Sequence, residues 1–381
     1  MGIPAPHLAV FVRNLRGGGL ERVSLNLANE LSRRGFRVDM VLAEAQGVFI
    51  HMLDPRIRLV DLKAPSLKAY TLKLSRYLKR EVPEALLAQG EEAGVAAILG
   101  RKISCVSTRI VVSCHSTISQ YVPKSRDFKV RFLPPLMRLT YPMADHVVCV
   151  SSGVADDLAA TIGLPRSKID VIPNPSITSD FLNRTPKKPE HRFFALGIPV
   201  VVAVGSLVAA KDYACLLEAF SIVIRNRDMR LIILGEGPER GCLTELILRL
   251  GLQELVDLPG FVDPPWDFMA ASSVFVLSSA WEGLPTVLVE ALALGCRIVS
   301  TDCRSGPREI LEGGRFGGLV PVGASSDLAE AILSAFDRPV DASGQRARAK
   351  DFMPAPCLNA YLPLLTGREC FFGSDLSDLR E

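Results

Sequence analysis

Glu282 and Glu290 are separated by eight positions in the stretch Trp281-Glu282-Gly283-Leu284-Pro285-Thr286-Val287-Leu288-Val289-Glu290. The apolar run before it, Val274 to Leu277, predicts a buried parallel strand ending in Ser278, Ser279 and Ala280. Pro285 and Thr286 signal a helix start, with Thr286 as the expected cap and Glu290 as the acid of the first turn; Gly295 is the stop. Arg297 to Ser300 then predict the next strand. Open α/β sheets hold ligands at the carboxyl ends of strands and in the first turns of the helices that follow. Both carboxylates are therefore expected to face one crevice, although the spacing alone also fits a solvated helix start.

Three further sites carry chemistry. Gly17, Gly18 and Gly19 follow a strand at Leu8 to Val12 and precede a helix expected over Glu21 to Arg34. Such a run reads either as a tight turn or as backbone N–H groups pointed at an anion. Gly205 and Ser206 follow the buried strand Pro199 to Val204, and Lys211 stands at the next helix start, where a point charge and free backbone donors suit a diphosphate. His115 follows the buried strand Arg109 to Ser113, a place where a lone histidine is either a structural hydrogen-bonder or a site residue.

The elements that position these residues form two successive α/β series. Strands are expected at Arg37 to Leu42, Ile57 to Leu62, Ala85 to Ala88 and Asp145 to Ser151, with a helix at Gly153 to Ile162, before a closing segment at Ile169 to Pro175. Residues 177–196 turn polar and read as a linker, after which the pattern restarts with Tyr213 to Arg225 and Met229 to Leu234. The organisation expected is residues 1–176, the linker, a second domain at 197–350, and a segment at 351–381 returning to the first domain. Two such halves predict two Rossmann-like domains facing a central cleft. Gly367 to Glu381 reads as frayed.

Composition bounds the partners. A chain of 381 residues with 48% hydrophobic content and a mean hydropathy of +0.25 fits parallel strands covered on both faces. No apolar run approaches the roughly 20 residues that span a bilayer, and no signal pattern opens the chain, so a cytoplasmic or membrane-peripheral location is expected. A net charge of +3 argues against nucleic acid. Nine cysteines without paired metal spacing read as small buried residues in a reducing compartment. Leu67 to Arg80 predicts a basic amphipathic helix, and Lys124, Arg126, Lys129 and Arg131 interleave with Phe128 and Phe132. Both patterns fit an anionic membrane surface or a solvated cationic face.

Glu282-Gly283-x-Pro285 with Glu290 resembles the E-x7-E signature of the retaining, family-four (group 1) glycosyltransferases of the GT-B fold. Ser305 to Ile310 and Gly318 to Pro321 resemble the rest of that family's donor half, and Gly18, Gly19, Glu21 and Arg22 its G-G-x-E-R loop. The resemblance implies a nucleotide-sugar donor, a UDP-sugar first, and a glycan or polyprenyl-linked lipid acceptor in surface-polysaccharide biosynthesis. It implies that Glu290 accepts from ribose hydroxyls, Glu282 orients the sugar, Lys211 faces the diphosphate and His115 touches the transferred sugar. Phe261 and Val262 would support the base, while Gly18, Gly19, Gly205, Gly283 and Leu284 complete the cradle. It further implies retention by front-face attack, with no cofactor and no metal. Ser206 stands where the family usually has arginine; Arg13, Arg16 and Arg308 are the candidates to compensate. The alternatives are a related GT-B synthase or phosphorylase, and a catalytically weak scaffold subunit that binds nucleotide without turnover.

Overall fold

The computed structural model describes residues 5–124 and 128–368, with side chains not described at 128 and 129. Arg126, the side chains of Phe128 and Lys129, Cys370 and the stretch 369–381 thus lie outside the described residues. The chain divides into two compact units, the first built from residues 1–150, 155–173 and 354–381, the second from 151–154 and 174–353.

Among the described residues the first unit holds seven strands: β1 (His7–Val12), β2 (Arg37–Leu42), β3 (Arg58–Asp61), β4 (Ala85–Gln89), β5 (Arg109–Cys114), β6 (His146–Cys149) and β7 (Ile169–Val171). They pair in parallel in the order β3-β2-β1-β4-β5-β6-β7. Apolar runs such as Leu8 to Val12 and Ala85 to Ala88 are buried throughout, as a sheet covered on both faces requires. The covering helices are α1 (Gly19–Arg33), α2 (Leu67–Glu81), α3 (Glu91–Ser104), α4 (Ile118–Lys124), α5 (Leu133–Thr140) and α6 (Ser152–Ile162). Tyr70, Leu74, Tyr77 and Leu78 of α2 are buried and the helix packs on α3. The apolar face of this basic helix is therefore consumed by the core, which removes it as a lipid-inserting element.

The second unit holds β8 (Val200–Val204), β9 (Arg230–Leu234), β10 (Val256–Gly260), β11 (Val274–Leu277), β12 (Ile298–Thr301) and β13 (Gly318–Val320). Their parallel order is β10-β9-β8-β11-β12-β13. Its helices are α7 (Ser179–Asn183), α8 (Arg192–Ala195), α9 (Tyr213–Val223), α10 (Arg240–Arg249), α11 (Trp266–Ala271), α12 (Thr286–Leu294), α13 (Pro307–Ile310), α14 (Ser325–Ser334) and α15 (Ala342–Ala349). The polar stretch expected to be a linker carries α7 and α8. It is tied to this unit by Arg184 on Asp267 at 2.7 Å and His191 on Asp257 at 2.9 Å.

The last described helix, α16 (Pro354–Thr366), belongs to the first unit, where Cys357, Leu358, Tyr361, Leu362 and Leu365 join the core formed by β1, β4 and α1.

Candidate functional site

In the second unit, β8 and β11 are neighbours but not consecutive, so the strand order reverses between them and opens a crevice at their carboxyl ends. Two loops meet there. Ala280 N–H donates to Ala210 O at 2.8 Å, and the Ser278 hydroxyl donates to Lys211 O at 2.7 Å. Lys211 Nζ then donates to Glu282 Oε1 at 2.5 Å, and the Ser279 hydroxyl donates to the same oxygen at 2.7 Å. Lys211 and Glu282 keep only 17% and 13% side-chain exposure, so the pair is largely withdrawn from water. Gly205 packs beside them: a Cβ there would sit 2.9 Å from both Lys211 Cε and the Tyr213 hydroxyl. Gly235 is required for the same packing, since its Cβ would lie 2.0 Å from Gly205 O.

Glu290 is buried at 4% exposure on α12. Pro285 occupies the N-cap position with extended backbone and Thr286 is the first helical residue, so α12 has no side-chain cap and no acid in its first turn. The expected Thr286 cap and first-turn Glu290 are both corrected by one position of helix phase; the fixed φ of proline sets the entry instead. Leu284 is buried, Gly283 half-buried, Ser206 exposed, and Phe261, just after β10, is 60% exposed with Val262 half-buried beside it. Arg308 is engaged by a bidentate pair with Asp302 and Arg16 donates to Gln46, so two of the three candidate substitutes for the missing arginine already hold partners.

In the first unit the order reverses between β1 and β4. Gly18 caps α1, which begins at Gly19, two residues before the expected Glu21. The Glu21 carboxylate folds back on this terminus, and a Cβ at Gly18 would lie 2.4 Å from its Oε2. Burial raises the Glu21 pKa, opposed by hydrogen bonds from its own N–H and that of Gly18. The Gly18 N–H expected to meet an anion is thus taken by Glu21, and Gly19 is the first residue of α1.

His115 follows β5, one strand over from β4. Its backbone N–H and that of Ser116 both donate to Glu91 Oε1, at 2.9 and 2.8 Å. Its Nε2 lies 2.7 Å from Gln89 Oε1 and 3.0 Å from Ser113 Oγ. Desolvation lowers its pKa from 6.5 to about 3, so the ring is neutral at physiological pH.

Sequence reasoning missed Ser278 and Ser279 as ligands of the Lys211 loop and of Glu282, and missed Gln89, Glu91, Ser113 and Tyr361 around His115. The available signal was a polar residue at the end of an otherwise apolar strand, as at Gln89, Ser113 and Ser278. Among the described residues, no group of three His, Cys, Asp or Glu is placed to hold a metal ion.

Two parallel α/β units, each with a switch point in its strand order, define a doubled Rossmann-like architecture, and comparison with known proteins specifies it. The family model described as glycosyltransferase family 4 matches residues 17–179, and that described as glycosyl transferases group 1 matches residues 198–338. The chain belongs to this family of glycosyltransferases, with the GT-B fold and hexosyltransferase chemistry. It is 31% identical over 361 residues to the N-acetylgalactosamine-N,N'-diacetylbacillosaminyl-diphospho-undecaprenol 4-alpha-N-acetylgalactosaminyltransferase of Campylobacter jejuni, covering 91% of this chain and 95% of that protein. It is 29% identical to the lipopolysaccharide core biosynthesis glycosyltransferase LpsE of Rhizobium meliloti, over 83% of this chain and 85% of the relative. Among solved structures, Anabaena Alr3699/HepE in complex with UDP-glucose superposes with a TM-score of 0.77 at 20% identity, over 95% of this chain and 100% of that one.

Proposed function

We propose that this glycosyltransferase moves a sugar, with retention, from a nucleotide-sugar donor, a UDP-sugar first, to a glycan or polyprenyl-linked acceptor in surface-polysaccharide biosynthesis. The observation that carries the reading is the Lys211–Glu282 pair at the β8/β11 switch point, with Glu290 on the helix that follows. Lys211 meets the charge that develops on the departing diphosphate, Glu282 orients the sugar, and Glu290 accepts from the ribose hydroxyls. The leaving phosphate serves as base for front-face attack, and the reading calls on no cofactor, since the cation is a side chain. The solved relative that holds UDP-glucose supports the donor, and the Campylobacter enzyme named for a diphospho-undecaprenol substrate supports the acceptor.

A lipid-linked acceptor also suits the surface around α5. Phe132, just before α5, and Leu139 on it are 60% and 73% exposed, and Lys124, Arg131 and Arg138 nearby in the sequence are exposed as well. Exposed apolar side chains with cations nearby in the sequence fit an anionic bilayer surface, which supports a peripheral position on the cytoplasmic face.

Calorimetry with UDP-, GDP- and ADP-sugars, repeated on Glu290→Ala, tests the donor assignment. Micromolar binding of one nucleotide class, lost in the variant, is expected. Equal binding by parent and variant refutes the site, and binding without any turnover of donor moves the scaffold alternative ahead.

A further inference from the structure

The networks that hold the proposed site residues differ in one respect: that of His115 reaches into α16, outside both segments matched by the family models. Ser113 Oγ, 3.0 Å from His115 Nε2, is also 3.0 Å from the Tyr361 hydroxyl. Gln89, Ser113 and Tyr361 are 2%, 0% and 2% exposed, so none of them is a surface rotor. The backbone on both sides of the ring is pinned by Glu91. We propose that Gln89 and Ser113, the latter backed by Tyr361, are positioning residues that fix His115 as its Nε2–H tautomer and leave Nδ1 as the one ring nitrogen offered to a ligand.

Donors and acceptors around the ring fix where its proton sits. With its amide oxygen turned to the ring, Gln89 can only accept there, so the 2.7 Å contact makes Nε2 the donor and leaves the Gln89 amide nitrogen buried without a partner. The Ser113 hydroxyl, facing an N–H, then gives its own proton to the Tyr361 oxygen. A neutral imidazole carries one proton, and Nε2 has it. Nδ1 therefore presents a lone pair, which accepts from a hydroxyl and cannot donate to an anionic oxygen. The ligand chemistry selected is a sugar hydroxyl rather than a phosphate. This rests on the reading of His115 as a donor-sugar contact. It adds to that reading which atom makes the contact, in which direction the proton points, and that the C-terminal helix takes part.

The chain has five histidines, so the tautomer is readable by nitrogen NMR on protein labelled in the imidazole rings, with His115→Gln assigning the resonance. At pH 7 the His115 ring should show a protonated Nε2 and an unprotonated Nδ1 without any ligand present. Gln89→Met and Ser113→Ala should each shift the signal towards the Nδ1–H form or a mixture, whereas Gln89→Glu, which keeps an acceptor, should restore Nε2–H. Tyr361→Phe, which keeps the buried ring, should weaken the preference and lower the rate of donor-sugar hydrolysis about tenfold at an unchanged KM, the loss of one hydrogen bond's worth of positioning. An Nδ1–H tautomer in the parent, or a tautomer unmoved by both Gln89→Met and Ser113→Ala, overturns the proposal. The parent spectrum needs no variant other than the assignment. If the tautomer is as stated but His115→Gln leaves donor hydrolysis untouched, the positioning stands and the role given to His115 in the reaction falls.

Discussion

Lys211 and Glu282 form an ion pair, so on the proposed reading donor binding takes Lys211 from its carboxylate, and removing either partner should act on nucleotide affinity with opposite sign. Unit charges about 4 Å apart attract by about 4 kcal/mol at an effective dielectric of about 20. Most of that offsets the desolvation of both ions. Breaking a fully buried pair costs about 3–5 kcal/mol because the orphan charge stays behind. With 17% and 13% exposure the orphan here recovers part of its hydration, so Lys211→Met should destabilise the protein by about 2 kcal/mol. Adding Glu282→Gln removes the orphan, and the double variant should cost less than the sum of the singles, with a coupling of about 1–2 kcal/mol. For UDP itself, Lys211→Met removes a charge-assisted contact and should weaken binding about 10- to 100-fold. Glu282→Gln frees Lys211 and removes an anion from the site, so UDP should bind about 3- to 10-fold tighter, close to 1 kcal/mol, while sugar turnover falls. Urea denaturation of the four proteins gives the coupling, and calorimetry gives the affinities. A coupling near zero, or weakening of UDP by both single variants alike, refutes the competition for Lys211.

His115 should impose an acid-side loss of stability: its folded pKa of about 3 lies below 6.5, so the unfolded chain binds more protons between these values. Stability from this group is complete above about pH 6.5 and falls towards pH 3 by at most about 1.4 kcal/mol per unit; His115→Gln should flatten that slope in denaturant midpoints measured across the window. Asp39, 1% exposed, accepts from His7 at 2.9 Å, from Tyr77 at 2.6 Å and from Arg58. Burial would raise its pKa, but these three hydrogen bonds outweigh burial and hold it below the ordinary value. Its contribution is therefore present above about pH 4 and lost as pH falls further, and Asp39→Asn should cost about 3–5 kcal/mol at neutral pH by thermal or chemical unfolding. Phe132→Ser with Leu139→Ser should reduce binding to vesicles containing anionic lipid by tenfold or more in co-sedimentation while leaving UDP affinity unchanged, since burial of each side chain in the interface contributes about 1.5–3 kcal/mol; unchanged vesicle binding removes α5 as the contact.

Both sheets and the placement of the chemistry at strand ends were legible because parallel strands buried on both faces write themselves as uninterrupted apolar runs. Arg37 to Leu42 and Val274 to Leu277 appear in the structure with the bounds expected. Helix starts were less legible. Gly19 and Thr286 enter their helices without a side-chain cap, so the sequence lacked the usual marker. The partners of the site residues were the least legible part, because they are long-range: Lys211 and Glu282 are 71 residues apart, and Ser113 and Tyr361 are 248 apart. A serine at a strand end has many possible partners, and only the sheet order decides which loop it meets.

The two units prepare their residues by opposite electrostatic means. In the second, the Lys211 ammonium is held 2.5 Å from the Glu282 carboxylate, so positive charge is stored at the strand ends and becomes available when that carboxylate turns to another partner. In the first, burial holds His115 neutral and a hydrogen-bond chain orients it, so it offers a lone pair and carries no charge to any ligand. For transfer from a nucleotide sugar this division is physically consistent: the diphosphate needs a compensating charge that grows in effect as the bond breaks, whereas the sugar ring, which becomes electron-poor, would be opposed by a nearby cation.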